Sequence, residues 1–222
     1  MMHEGHRKRL KKRFLEEDLD SFEDHQVLEL LLFYAIPRKD TNELAHRLIH
    51  KYGSLSTVLE SDPVELASTV GISENAAVLL SLIPSLSRYY LKDKWGNKET
   101  IDSSTKAGKY LVDLFAGRSS EMFYLVCLDT QNKIIHSALV HEGTINEVPI
   151  YPRIIVETAI RHKASSVVLA HNHPGGSIEI SKADNEATNK IKTALNAISI
   201  QVMDHIIVAG NRYISFAEEG SI

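Results

Sequence analysis

The chain has 222 residues, of which 43% are hydrophobic and 24% charged, and its formal net charge is −4 at pH 7. These values are typical of a soluble globular protein, and the negative charge argues against binding of nucleic acid through bulk electrostatics. No apolar run approaches the roughly 18 residues that cross a membrane, and the charged N-terminus lacks the apolar segment of a signal peptide. We therefore expect a cytoplasmic protein without membrane contacts.

A basic cluster followed by an acidic one occupies residues 1–20, in the pattern of a short amphipathic helix. Its basic side chains Arg7, Arg9 and Lys12 would suit contacts with nucleic-acid phosphates. The simpler interpretation is a solvated helix face on which opposite charges pair at i, i+4 spacing. Both interpretations stay open, and the simpler one is preferred.

Further helical segments follow, so that residues 1–93 are predicted to form an all-α domain of five or six helices. Apolar spacing, capping residues and prolines predict the following boundaries: Ser21 to before Pro37, Asp40 to Tyr52, a short helix from Ser54, a helix that starts at Asp62-Pro63, and Ser73 to about Tyr90.

The turn Val70-Gly71-Ile72 between the last two of these helices resembles a helix-hairpin-helix turn. In that motif, backbone N–H groups at the start of the second helix contact a nucleic-acid phosphate. A tight helical hairpin without this function also requires a glycine in the left-handed conformation. Gly71 is therefore a candidate DNA contact with a plain structural alternative.

Residues 94–102 are polar and are predicted to be an interdomain linker. Helices and strands then alternate over residues 103–222, which predicts an α/β domain with flanking helices around one mixed sheet. The predicted elements are a helix ending near Gly117, strands 122–128 and 133–140, a helix 152–164, a strand 166–170, a helix 181–198, and strands 200–208 and 213–216. Cys127 lies in an apolar run and is expected to be buried and unreactive.

Two histidines leave the end of the buried strand 166–170, and a carboxylate follows in the first turn of the next helix. Because residues i and i+2 of a strand point to the same side, His171 and His173 can converge on one ion. Asp184 would be the third ligand, and three protein ligands with a fourth position left to water are the pattern of a catalytic zinc site. Manganese or iron could bind the same set. Histidine pairs alone are more often simply exposed polar residues.

The spacing His-x-His, seven residues, Ser, two residues, Asp resembles the signature of the JAMM (MPN+) metalloproteases. The sequence His-Asn-His-Pro, the later Asp204-His205-Ile206-Ile207-Val208 and the helical N-terminal half are similar to the RadC-like JAB-domain proteins of bacteria. This resemblance implies a helix-hairpin-helix-like bundle followed by a JAB/MPN-type mixed sheet. The chain departs from the pattern at Gly175 and Ile180, neither of which is a ligand.

The resemblance also implies a general base, a glutamate at the start of a strand well upstream of the histidines. Glu121 fits best, because it directly precedes the strand 122–128. Glu142 and Glu147 flank a turn and are the main competitors, whereas Glu157 lies within a predicted helix.

Ser181 has two compatible interpretations. The resemblance implies that its hydroxyl helps to hold an oxyanion, while its spacing from Asp184 is that of a helix-capping box. An Asp184 that binds metal is not expected to cap freely. His205 is most simply a hydrogen-bonded structural histidine, with a supporting role behind a metal ligand as the alternative.

The leading hypothesis is a zinc-dependent hydrolase of the JAMM type that carries one zinc per chain and cleaves an amide or isopeptide bond of a protein or peptide. The alternative is a DNA-associated module in which Arg7, Arg9, Lys12 and Gly71 contact phosphates. In that case the metal site would cut a phosphodiester or play no part. A non-catalytic scaffold is a third hypothesis, and it leaves the intact ligand set unexplained.

Overall fold

The computed structural model describes residues 2–37, 39–95, 100–143 and 152–222. The chain forms two compact units, residues 1–87 and residues 88–222. The sequence prediction placed a helical domain at 1–93 and a linker at 94–102, and residues 96–99 of that linker lie outside the described residues. Within the described residues, no helix combines the length and apolarity needed to cross a membrane.

The first unit is entirely helical in its described part. It contains α1 (Met2–Glu17), α2 (Asp24–Ala35), α3 (Asn42–Tyr52), α4 (Leu55–Glu60), α5 (Pro63–Ser68) and most of α6 (Glu74–Trp95). The Ser54 hydroxyl accepts the Thr57 amide at the start of α4, and the Asp62 carboxylate accepts two amides at the start of α5. The helix starts predicted at Ser54 and Asp62 are thus confirmed, and both side chains satisfy amides that lack a partner within the helix.

The predicted start of α2 at Ser21 is wrong. The N-cap is Glu23, which forms a reciprocal capping box with Gln26. The Ser21 hydroxyl instead accepts a hydrogen bond of 2.9 Å from the Arg13 guanidinium, and it donates one of 2.8 Å to Glu17. Local spacing did not distinguish the two possible caps, because the Ser21 hydroxyl is hydrogen-bonded to Arg13 and Glu17 of the preceding helix.

Leucine and alanine side chains supply most of the core of the first unit. Its buried residues are Leu28, Leu32, Leu44, Ala45, Leu48, Val58, Leu66, Ile72, Ala76, Ala77 and Leu80. This core is held together by the burial of apolar surface, which contributes about 25 cal/mol per Å².

The second unit is a five-stranded mixed sheet with helices on both faces. After the end of α6 come α7 (Ser104–Phe115), β1 (Met122–Leu128), β2 (Ile134–Glu142), α8 (Pro152–Arg161), β3 (Ser166–Asn172), α9 (Lys182–Asn196), β4 (Gln201–Ala209) and β5 (Arg212–Ser215). The strand order is β2-β1-β3-β4-β5. Among the described strands, β3 and β4 are the parallel pair and the other neighbours are antiparallel. The predicted mixed sheet with flanking helices is confirmed.

Side chains of β1 alternate between the two apolar layers that cover the sheet. Phe123, Leu125 and Cys127 pack with residues of α8 and α9, whereas Tyr124 and Val126 pack with residues of α7. All seven residues of β1 and all seven of β3 are buried, as expected for central strands covered on both faces. Strand β3 continues two residues beyond its predicted end, so that His171 belongs to the strand itself.

Candidate metal centre

The two histidines of the His-x-His motif meet at the end of β3. The Nε2 atoms of His171 and His173 are 3.1 Å apart, in agreement with the strand periodicity that places residues i and i+2 on one side. His171 is completely buried, whereas His173 is partly exposed. The pair therefore has a closed side within the protein and an open side toward solvent.

Asp184 approaches the pair from the first turn of α9. Its Oδ1 lies 3.3 Å from His171 Nε2, while its Oδ2 accepts the Ser181 amide at 2.9 Å. The Ser181 hydroxyl in turn accepts the Asp184 amide at 3.1 Å, which completes a capping box. The capping box engages Oδ2, whereas Oδ1 faces His171, so one oxygen of the Asp184 carboxylate lies outside the cap.

The loop after His173 determines which nitrogen of that ring is protonated. His173 Nδ1 donates to the Ser177 carbonyl at 2.9 Å, so that Nε2 of the neutral ring has a free lone pair. Gly176 turns the loop with φ at +86°, a conformation that L-residues with a side chain rarely adopt. The Arg212 guanidinium donates to the Gly176 carbonyl at 3.1 Å and ties the loop to β5.

The ligand atoms of His171, His173 and Asp184 all lie within 4.8 Å of one another and could hold a metal ion. Tetrahedral bonds of about 2.0–2.1 Å place two ligand atoms roughly 3.3 Å apart. The separations of 3.1 Å between the imidazoles and 3.3 Å between His171 and Asp184 are close to that value. Imidazole and carboxylate are also the ligand types that zinc accepts in catalytic sites. The three residues therefore fit such an ion in both chemistry and spacing.

A second buried histidine stands behind the first. His171 Nδ1 and His205 Nε2 are 2.8 Å apart, and His205 Nδ1 lies 2.6 Å from the Thr188 hydroxyl oxygen. Burial lowers the pKa of His171 to about 4, against the opposing effect of the Asp184 carboxylate and with a further lowering by His173. Burial also lowers the pKa of His205 well below its ordinary value. Both rings are therefore neutral near pH 7.

Glu121 directly precedes β1, the neighbour of β3 in the sheet. Phe123 pairs with His171, and their rings lie in stacked planes with centroids 6.1 Å apart. Continuing this antiparallel register by two residues places Glu121 opposite His173 and on the same face of the sheet. Glu121 is partly buried. The strand register therefore favours Glu121 as a neighbour of His173, and its role as the general base stays a prediction.

Asn172 connects the start of β1 to β3, the strand that carries His171. Its side-chain oxygen accepts the Met122 amide at 2.8 Å, and its side-chain nitrogen donates to the Ser120 carbonyl at 2.9 Å. The two bonds flank Glu121, whose own carbonyl accepts the Gly143 amide at 2.8 Å. We call this arrangement the Asn172 clasp.

Sequence reasoning missed Asn172 and Thr188 as candidate functional residues. The available signals were their positions: Asn172 lies between the two histidines, and Thr188 follows Asp184 by one helical turn.

The competitors of Glu121 have other surroundings. Glu142 pairs with Met122, one position out of phase with Phe123, and accepts the Ser120 hydroxyl at 2.8 Å. Glu157 is paired with Arg153 on α8 at 2.7 Å. Glu147 lies outside the described residues.

The predicted nucleic-acid contacts lie in the first unit, where several already have protein partners. Arg7 donates to the carbonyls of Phe33, Ile36 and Lys39 around the end of α2. Lys12 pairs with Glu16 at 3.5 Å on an exposed helix face, and Arg9 is exposed. Gly71 has the expected left-handed backbone with φ at +99°. A role of these residues in DNA binding stays a prediction.

Helices followed by a mixed five-stranded sheet, with a His-His-Asp group at the end of a central strand, define a JAB-type domain protein. Residues 101–221 match the model of the RadC-like JAB domain family. The chain is also 37% identical over 226 residues to UPF0758 protein FN0909 of Fusobacterium nucleatum subsp. nucleatum, with 99% of this chain and 97% of that relative covered. The chain therefore belongs to the RadC-like JAB family, which confirms the resemblance drawn from the motif.

Proposed function

We propose that this protein is a zinc-dependent hydrolase of the JAMM type that cleaves an amide or isopeptide bond in a protein or peptide. The observation that carries the proposal is that His171 Nε2 lies 3.1 Å from His173 Nε2 and 3.3 Å from Asp184 Oδ1, with one ligand atom from each residue within 4.8 Å of the others. A zinc ion held by these three atoms would supply a Lewis acid and a water acidified toward neutral pH.

The chain's own residues supply the remaining chemistry of this proposal. The Glu121 carboxylate accepts a proton from the attacking water and later delivers it to the leaving amine. The Asn172 clasp holds the backbone on either side of Glu121, which limits the freedom of that carboxylate. The Ser181 hydroxyl oxygen is occupied by the Asp184 amide, so its O–H group remains available to donate to the substrate carbonyl oxygen.

Access to the site supports a substrate that approaches from solvent. His171 and Asp184 are buried, whereas His173 is partly exposed and Ser181 is exposed. A scissile bond would therefore approach on the side of His173 and Ser181, with the buried ligands behind it.

Metal analysis of the purified full chain tests the first step of this proposal. We expect about one zinc per native chain after zinc is supplied, and none in Asp184→Ala. Glu186→Ala is the matched control, because Glu186 lies on the same helix and is exposed. A native chain without stoichiometric metal would overturn the hydrolase proposal.

A peptidase and isopeptidase screen then tests the chemistry. Glu121→Gln should keep its zinc and lose hydrolysis, whereas Glu142→Gln should keep both. If Glu142→Gln is inactive and Glu121→Gln is active, the general base has been assigned to the wrong residue.

DNA association through a helix-hairpin-helix-like first unit is the second candidate function. It is favoured by a groove of about 640 Å³ that reaches Val70 beside the Gly71 turn. The groove is lined by Glu43, His46, Arg47, His50, Lys51, Thr69 and Val70. Carboxylates already face both of its strong cations, since Arg47 lies 3.7 Å from Glu43 and Lys51 lies 3.4 Å from Glu65. For this reason we place DNA association second.

A salt titration of binding to a fluorescent DNA duplex tests this candidate. If Arg47 and Lys51 contact phosphates, replacing both with alanine should make the plot of log affinity against log salt less steep by about 2. Lys190→Ala in the second unit is the control. An absence of binding at low salt would remove the candidate.

A further inference from the structure

An unbroken chain of hydrogen bonds connects two of the three candidate metal ligands through the protein interior. It begins at His171 on β3, passes through His205 on β4 and Thr188 on α9, and ends at the backbone carbonyl of Asp184. The three separations are 2.8, 2.6 and 2.6 Å. His171, His205 and Thr188 are each at most 1% exposed, so water does not compete for these bonds.

The direction of every bond in this chain follows from its last member. A carbonyl oxygen can only accept a hydrogen bond, so the Thr188 hydroxyl donates its single proton to the Asp184 carbonyl oxygen. The same hydroxyl oxygen must then accept from His205, which places the His205 proton on Nδ1. A neutral His205 therefore accepts at Nε2, and His171 must donate from Nδ1. His171 Nε2 is left unprotonated on the side of His173 and Asp184.

The packing around His205 fixes its ring in the orientation that this chain requires. The ring stacks on Phe216 with centroids 4.4 Å apart and meets Phe123 edge-on at 5.7 Å. Both ring nitrogens already have partners, and rotation of the ring would leave two buried polar atoms without them. Such unpaired atoms are costly in a buried site.

We propose that Thr188 and His205 are positioning residues that hold His171 in the tautomer required for metal binding. The Thr188 hydroxyl sets the proton of His205, and His205 sets the proton of His171, so that the lone pair of His171 Nε2 faces the ion. Because Thr188 and Asp184 both belong to α9, the same series of hydrogen bonds also connects α9 to β4 and β3. This inference rests on the metal-binding part of the proposed function.

Zinc affinity, measured by competition with a chromophoric chelator, tests this inference on the full chain. Thr188→Val removes the hydroxyl at nearly constant volume and should weaken zinc binding roughly 10- to 100-fold, the range found for outer partners of metal-binding histidines. Thr188→Ser keeps the hydroxyl and should restore native affinity. Thr193→Val is the matched control, because Thr193 makes the same hydroxyl bond one turn back on α9, to the Asn189 carbonyl at 2.8 Å, but is exposed.

Nitrogen-15 NMR of the imidazoles in the metal-free protein provides an independent readout that a purely structural role would not change. The native protein should show His171 and His205 with the proton on Nδ1, and Thr188→Val should show a mixture of tautomers at both rings. His205→Asn identifies the His205 signals. This measurement decides the inference even if the native chain binds no zinc, an outcome that would defeat the proposed function instead.

Equal zinc affinity in Thr188→Val and the native chain, together with unchanged tautomers, would overturn the inference. A native His171 protonated on Nε2 would overturn it as well. A loss of affinity in Thr193→Val equal to that in Thr188→Val would show that helix stability, and not the hydroxyl, is responsible.

Discussion

The two units of this protein bury polar groups to very different extents. Of the ten polar or charged residues that are buried in the described part of the chain, only Glu29 and Thr41 belong to the helical unit. The other eight belong to the second unit, and six of them lie at the end of β3, in the middle of β4 and in the first half of α9. The eight are Ser166, His171, Asn172, Asp184, Thr188, Asp204, His205 and Ser215.

This contrast separates stability from function. The helical unit shows that a fold of this size needs little more than an apolar core, because burial of polar groups costs free energy unless each finds a partner. The second unit carries this cost mainly on its strands β3 and β4 and on α9, where every buried polar residue has a described side-chain hydrogen bond except Ser166. A concentration of paired polar groups beyond the needs of the fold is typical of a functional site.

The largest expected effect tests the apolar side of the comparison. Leu48 is fully buried in the helical core, and Leu48→Ala should lower the free energy of unfolding of that unit by about 2–5 kcal/mol. Zinc content per folded chain should not change. Urea unfolding followed by circular dichroism, with metal analysis of the folded fraction, measures both quantities. A loss of zinc in this variant would contradict the proposal that the helical core contributes to stability but not to zinc binding.

Asp204 tests whether one polar group of the second unit stabilises the fold instead of serving the site. Its carboxylate accepts the amides of His205 and Ala217 and the hydroxyls of Ser104 and Ser215. Asp204→Ala leaves these buried donors unpaired and should cost about 2–3 kcal/mol in unfolding free energy.

The control for Asp204 is the exposed carboxylate of Asp102, whose only described ion pair is with Lys106 at 2.7 Å. Asp102→Ala should leave the urea midpoint unchanged, because solvent screens an exposed pair. Equal midpoints for Asp204→Ala and the native chain would show that the Asp204 bonds contribute nothing.

The Asn172 clasp tests the link between the polar cluster and catalysis. Asn172→Leu removes both hydrogen bonds at similar volume and leaves His171, His173 and Asp184 unsubstituted. Zinc content should remain near one per chain, and hydrolysis should fall by about tenfold or more, because the general base is less well positioned. Steady-state rates of the native chain and the variant on the same substrate decide this. Full activity with full zinc would show that Glu121 does not depend on the clasp.

The smallest expected effect concerns the buried thiol of Cys127 on β1. Cys127 shares a face of β1 with Phe123, and burial raises the pKa of its thiol to about 11. At pH 8 about one thiol in a thousand is ionised, so a disulfide reagent should react slowly with the native chain and fully with the chain in guanidinium. Rapid reaction of the native chain would show that this part of the sheet opens to solvent.

Most of the elements and the candidate ligand set could be predicted from the sequence alone. The apolar run 122–128 predicted a strand, and β1 has the same bounds in the structure. The capping residues Ser54 and Asp62 also mark real helix starts. The two-residue period of a strand was enough to predict that His171 and His173 face the same side. The predicted first turn of a helix was enough to place Asp184 near them. All of these are local patterns, expressed wherever the chain forms the element.

The surroundings of these candidate ligands depend on the tertiary structure. The clasp joins residues 50 positions apart, and the bond between His171 and His205 joins residues 34 positions apart. Which strands become neighbours, and in which register, depends on how the whole sheet packs. No local pattern records that choice. For the same reason the sequence did not predict that Asp184 Oδ2 caps α9 while Oδ1 faces His171 on β3.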